Sequence, residues 1–218
     1  MSPNLQEEKL DPRVKRTRNL IQQGFMDLLA EKGFQTISVQ DITERAEINR
    51  ATFYAHFPDK YALLDHSIRE AFRSELESRV LNACHFSMEN LHMLILTVCE
   101  FVEDKHTRCA TTEAQYQSLI EAQIRAQIYE LILYWLSNKK NPLPYSVSPE
   151  QAATAASWAL YGLAYERTHL KPAPPAEQFT QQVQPLIAAI LGEALDNESA
   201  HLIHDTNQTG GERKFLGG

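Results

Sequence analysis

A chain of 218 residues with 43% hydrophobic and 22% charged residues has globular composition, which excludes disordered and fibrous polymers, and it can hold one large unit or a small domain joined to a larger one. The net charge of -7 excludes a uniformly cationic surface, and the most apolar run, 91–102, contains His92 and Glu100 and falls short of the roughly 20 apolar residues of a membrane span. Cys84, Cys99 and Cys109 form an odd set without CxxC spacing, and the start MSPNLQEEKL lacks an apolar signal core, so a cytoplasmic protein without disulfides or membrane association is expected.

Glycine is scarce and apolar residues recur at helical spacing throughout, which predicts an all-α fold. Asp11-Pro12 is a helix start, and Leu20, Ile21, Phe25, Leu28 and Leu29 form a stripe that runs to Gly33. Ser38 followed by Asp41 is a variant capping box for a short helix with Val39, Ile42 and Ala46 inward. Asn49 caps a third helix that Pro58 stops, and Asp59 caps a fourth carrying Tyr61, Leu64, Ile68, Phe72 and Leu76. Further periodic runs cover about 90–104, 114–136, 149–169 and 176–195. Proline-rich breaks at 141–144 and 171–175 separate the last three, and Pro185 is expected to kink the last helix or delay its start. The domain division is therefore 11–60 for a helix-turn-helix unit, 61–196 for a helical body and 197–218 for a polar tail.

Charge is distributed unevenly. Residues 13–60 carry eight Lys/Arg against six Asp/Glu, a net of +2, so the rest of the chain holds the acidity. A mildly basic head on an acidic body is compatible with phosphate binding. In the third helix, at about 100° per residue, Phe53 and Phe57 share an inward face while Ala51 and Ala55 lie nearly opposite, with Thr52 beside them. A small outward face lets a backbone approach base edges, and Arg50, Tyr54 and His56 flank it.

Gly33-Phe34, the stretch Ile37 to Ala46, and Ile48-Asn49-Arg50-Ala51-Thr52-Phe53-Tyr54-Ala55-His56-Phe57-Pro58-Asp59-Lys60 resemble, in order and spacing over residues 13–64, the DNA-binding signature of the TetR/AcrR family. The resemblance implies that Gln40, Arg50 and Ala51 lie near bases and that Thr52, Tyr54, His56 and Lys60 meet phosphates. One position departs from the pattern: Glu47 stands where a small residue or glycine is usual, which leaves the turn geometry open.

In the body, Ala152, Ala156, Ala159 and Leu163 form a narrow stripe with Ala155 and Gly162 adjacent, and Phe179, Val183, Leu186, Ile187, Ile190 and Leu195 a broad apolar face. These are either core helices or, as the resemblance implies, helices that pair with their two-fold mates in a homodimer. Phe72, Met93, Cys99, Phe101, Tyr116, Ile120, Ile124, Tyr129, Trp135, Trp158, Tyr161 and Tyr165 are candidates for lining a small-molecule pocket, or are ordinary core. The implied function is a ligand-responsive regulator, by family default a repressor, that binds a palindromic operator as a homodimer and takes an unidentified small-molecule effector.

No metal or cofactor is expected: His106 and Cys109 share a helical spacing, but no complete ligand set is spaced for a metal. An enzyme is disfavoured, since the chain has no P-loop, dinucleotide-binding glycine pattern, HExxH or GxSxG. A helical ligand-binding or adaptor protein that has lost DNA binding is the third reading, which the departure at Glu47 keeps open.

Overall fold

The computed structural model describes residues 11–80, 85–108, 114–138 and 147–192. They form eight α-helices in the order α1 (Pro12–Glu31), α2 (Val39–Arg45), α3 (Arg50–His56), α4 (Lys60–Arg79), α5 (Met88–Arg108), α6 (Ala114–Ser137), α7 (Pro149–Arg167) and α8 (Ala176–Ile190), with a 3-10 turn at Phe34–Thr36 that periodicity did not predict. No strand occurs among the described residues.

The helix starts follow from their caps. Asp11 accepts from the Arg13 amide ahead of Pro12, and Asn49 accepts from the Thr52 amide. Asp59 accepts from both Tyr61 and Ala62, and Ser148 forms a reciprocal box with Gln151. At α2 the acid in the box is one methylene shorter than the usual Glu, yet Asp41 reaches back to the Ser38 amide at 2.7 Å while the Ser38 hydroxyl accepts from the Asp41 amide at 3.1 Å. The Ser38 bonds and the Lys32 ammonium 3.0 Å away hold the Asp41 carboxyl well below its ordinary range.

Two apolar cores share one helix. Ile21, Phe25, Leu28, Phe34, Ile37, Ile42, Phe53 and Phe57 pack with Leu63, Leu64 and Ile68 of α4 to form the head. Phe72 and Val80, further along the same helix, belong to the body core with α5 to α8. The head's core therefore runs past the expected division at residue 60, and the change of core falls inside α4 between Ile68 and Phe72. Each fully buried Leu, Ile or Phe contributes about 1.5–3 kcal/mol. Both cores are thus cohesive, and α4 is common to them.

In the body, α6 packs mainly on α7, α5 on α7 and α8, and α4 on α6. The α4–α6 contact is partly polar: Gln123 donates to Asp65 and accepts from Arg69 Nε at 3.1 Å, while Gln127 donates to the Arg69 carbonyl oxygen. Pro185 sits inside α8, which begins at Ala176 and is not delayed. The expected tail, Leu195, Cys84, Cys109 and the break at 141–144 lie outside the described residues.

Candidate nucleic-acid interface

The turn between α2 and α3 decides whether α3 can be presented. After Ala46 the chain enters the left-handed region at Glu47, with φ of 54°. The Ile48 amide then donates to the Thr43 carbonyl oxygen at 3.0 Å, and the Glu47 amide to that of Glu44 at 3.3 Å. These two bonds make a Schellman motif, in which the left-handed residue is usually glycine. The geometry expected of glycine is thus adopted with Glu47 in place, at a backbone cost of about 1–2 kcal/mol.

Close helix contact reinforces that turn. Gly24 is buried on α1, and a Cβ there would stand 3.1 Å from Arg45 Cγ and 3.3 Å from the Ala46 amide nitrogen, so glycine lets the end of α2 seat against α1. Arg45 completes the junction with a two-pronged pair to Glu31 at 2.8 and 2.7 Å.

Seated in this way, α3 buries Phe53 completely and its cap residue Phe57 to 4% exposure. The opposite face carries Ala51 and Ala55, exposed, with Thr52 half-buried beside them. Arg50 is exposed at the first turn, and Tyr54 is 49% exposed with its ring edge-on to Phe53. His56 lies on the other flank, its pKa lowered by burial and then by the charge of Arg18. Gln40, exposed on the first turn of α2, donates to Glu44 at 2.9 Å. Gln40, Arg50, Ala51, Thr52, Tyr54 and His56 therefore all lie on the exposed or flanking surface of α2 and α3.

Lys60 is different. Its ammonium donates to the carbonyl oxygens of Phe34, Gln35 and Ile37 at 3.1, 3.2 and 2.8 Å and stands 4.6 Å above the Phe34 ring. All three N–H donors are used inside the protein, and burial lowers its pKa. In this structure Lys60 forms a clasp that ties the 3-10 turn to the start of α4, a role beside the phosphate contact that the resemblance implies. Sequence reasoning missed this because carbonyl geometry leaves no mark on side-chain pattern.

The body residues divide more sharply than the sequence did. Of the pocket candidates, Phe72, Cys99, Phe101, Ile124, Trp135 and Tyr161 are buried in one core, and Met93, Ile120, Tyr129 and Tyr165 are partly buried against it. The side chain of Tyr116 lies outside the described residues. Trp158 does not line the interior: it is 53% exposed, with the Arg125 guanidinium 3.5 Å above its ring. Burial pushes the Cys99 thiol up to about 11, so it stays protonated and unreactive at neutral pH.

Of the residues assigned to a partner surface, Ala152, Ala156, Phe179 and Ile187 are buried within the subunit and cannot face a second copy. Ala152 and Ala156 face inward because α7 lies close to α6 and α5, which small side chains allow, while Phe179 and Ile187 pack α8 onto α5 and α7. Ala159, Leu163, Val183 and Ile190 are partly buried on that core, and Leu186 is 53% exposed. The outward seam of α7 is instead Ala155, Trp158 and Gly162, with Ala159 and Leu163 at its edge. Among the described residues no group of three His, Cys, Asp or Glu is arranged to hold a metal ion, and no helix is long and apolar enough to cross a membrane.

Comparison with known proteins accords with this geometry. Residues 23–66 match the family model for bacterial regulatory proteins of the tetR family. YxbF of Bacillus subtilis (strain 168), an uncharacterized HTH-type transcriptional regulator, is 44% identical over 66 residues, which are 30% of this chain and 17% of that protein. The match thus spans well under two thirds of that relative. The whole architecture aligns with a TetR-family regulator from Streptomyces coelicolor A3 at a TM-score of 0.54 and 17% identity, over 84% of this chain and 99% of the other. It also aligns with RolR, solved in complex with its ligand resorcinol, at a TM-score of 0.51 and 16% identity, over 92% of this chain and 97% of the other. At those identities the likeness is one of fold. Residues 23–66 of the head thus match the tetR-family model by sequence, and the described length shares the fold of a TetR-family regulator.

Proposed function

We propose that the chain is a DNA-binding transcriptional regulator that reads a two-fold operator as a homodimer, with α3 of each subunit in a major groove. The single observation that carries this reading is the outward face of α3: Ala51 and Ala55 at its centre, Arg50 and Tyr54 on one flank, and Thr52 and His56 on the other, held by a closed Schellman turn. Such a surface admits base edges at its centre and places donors where phosphates run. Gln40 at the start of α2 adds a polar group beside it.

A head of this size contacts few base pairs, so affinity and selectivity call for a second copy. The seam formed by Ala155, Trp158, Ala159, Gly162 and Leu163 of α7, with Leu186 and Ile190 of α8, is the surface assigned to that contact. Recognition helices in successive major grooves would stand about 34–36 Å apart.

Ligand response belongs to the same reading. Because α4 contributes Leu64 and Ile68 to the head and Phe72 to the body, a small molecule that shifts the packing of the body would move α4 and the head with it. RolR, which shares the fold, binds resorcinol; for this chain only the class, a small organic effector held within the body, is assigned. Repression by occupying a promoter is the direction assigned. The reading is tested by selecting duplexes from a random pool with the full chain: recovery of an inverted repeat whose binding weakens with salt is expected, and Arg50→Ala should relax base preference. Recovery of no duplex would overturn it.

A further inference from the structure

Arg18 lies one turn before Ile21 and two turns before Phe25, on the face of α1 that those residues bury, so its stem enters the edge of the head's core. Its guanidinium carbon stands 5.6 Å over the Phe57 ring at the C-terminal end of α3. Its Nε is shielded from solvent and has no hydrogen-bond partner. Among the described residues no carboxylate pairs with it. Arg18 acts on both His56 and His66, where its charge adds to the effect of burial in favouring the neutral ring.

Glu70 and Asp65 act on His66 from α4, and Asp11 caps α1, but the first half of α1 itself is cationic. From Pro12 to Met26, α1 carries Arg13, Lys15, Arg16 and Arg18 and no acid. Cations in the first turns of a helix oppose its macrodipole, so this arrangement weakens α1 rather than strengthening it. An external polyanion would reverse that balance. The same anion would give the partly exposed Arg18 guanidinium an acceptor beside the flank of α3 that His56 occupies.

We propose that Arg18 is a further DNA contact, holding a backbone phosphate together with His56 at the C-terminal end of α3 and so extending the interface from α3 onto α1. This rests on the DNA-binding reading above. Arg18 supplies the charge-assisted N–H donors, the Phe57 ring fixes its stem, and His56 closes the other side of the phosphate. The contact positions the head without reading sequence.

The experiment uses the full chain and a duplex that the wild-type protein itself selects from a random pool. Binding is titrated against salt for the wild type, Arg18→Met, which keeps the stem over Phe57, and Arg18→Lys, which keeps the charge. Loss of one phosphate contact per head should reduce the slope of log affinity against log salt by about 0.9. Between about 50 and 200 mM salt the wild type should then lose about 3- to 4-fold more affinity per head than Arg18→Met. Arg18→Lys should restore the slope. Should methionine unfold the head, Arg18→Gln, which keeps a polar stem, is read in the same way. A folded variant with weakened binding and an unchanged salt slope would make Arg18 a structural cap for α3 and overturn the proposal. If the wild type selects no duplex, the DNA-binding reading falls as well, an outcome distinct from an unchanged slope.

Discussion

Lys60 Nζ donates to the Ile37 carbonyl oxygen at 2.8 Å, joining the first residue of α4 to the last residue before the Ser38 cap of α2. With its bonds to Phe34 and Gln35, this places a half-buried ammonium against the 3-10 turn ahead of α2. Hydrogen bonds from charged groups are worth about 1.5–3 kcal/mol, and their loss strands partly buried carbonyls. Lys60→Met should therefore destabilise the head by about 2 kcal/mol in urea unfolding. Lys60→Arg should recover only part of that, since a planar fork does not converge on three carbonyls. The salt slope of DNA binding should stay unchanged in folded Lys60→Met, and a slope reduced by about one would return Lys60 to the phosphates.

Glu47 occupies a left-handed position that glycine adopts freely. Glu47→Gly relieves that strain but adds freedom to the unfolded chain, for a net gain of about 0.5–1 kcal/mol. Thermal unfolding should show a higher Tm. Glu47→Val, branched at Cβ, should lower it, and a lower Tm for the glycine variant would mean that the Glu47 side chain itself supports the turn.

The capped starts of α1, α2, α3 and α4 were legible because each is a local event: one side chain and one amide two or three residues away. The inward pair Phe53 and Phe57 was legible for the same reason, as a matter of helical period. The fate of Ala152 and Ala156 was not, since a small-residue stripe fits equally against α6 of the same subunit or α7 of another, and only tertiary packing decides. Trp158 misled in the opposite sense: its size pointed to the interior, while its place between Ala155 and Gly162 put it outside, under Arg125. The task of Lys60 depends on where three backbone carbonyls converge, which no residue spacing encodes.

His66 is half-buried, with its ring 5.4 Å from that of Phe57. Burial lowers its pKa, Glu70 opposes this, Arg18 and Arg69 lower it further, and Asp65 raises it, for a net depression below the ordinary 6.5. His56 shifts in the same direction. A histidine depressed in the folded state stabilises it fully above the unfolded value, and that contribution is lost as pH falls through 6.5 toward the folded value. The Tm should therefore fall on acidification through that window, and His66→Phe should flatten the decline. A Tm that rises across the same window would contradict the assigned sign.

Gly162 separates the stability of the subunit from its association. It lies inside α7, exposed, and a Cβ there would meet nothing within 4 Å. Glycine in a helix interior costs about 1 kcal/mol relative to alanine, so within one subunit Gly162→Ala should raise the stability of α7 by about that amount. If the seam of Ala155, Trp158 and Gly162 meets its two-fold mate, the missing side chain is where the helices approach most closely, and a larger residue should push them apart. Gly162→Leu should then weaken the dimer in sedimentation equilibrium while leaving the subunit at least as stable in thermal melts taken at low concentration. Trp158→Glu should also dissociate the dimer, because it removes the largest exposed ring on that face and places charge in the contact. The buried Ala156 supplies the contrast: Ala156→Leu overfills the core and should cost the subunit itself about 1–3 kcal/mol. A dimer unchanged in both Gly162→Leu and Trp158→Glu would put the seam on another face, and a wild-type chain that stays monomeric at micromolar concentration would remove the dimer altogether.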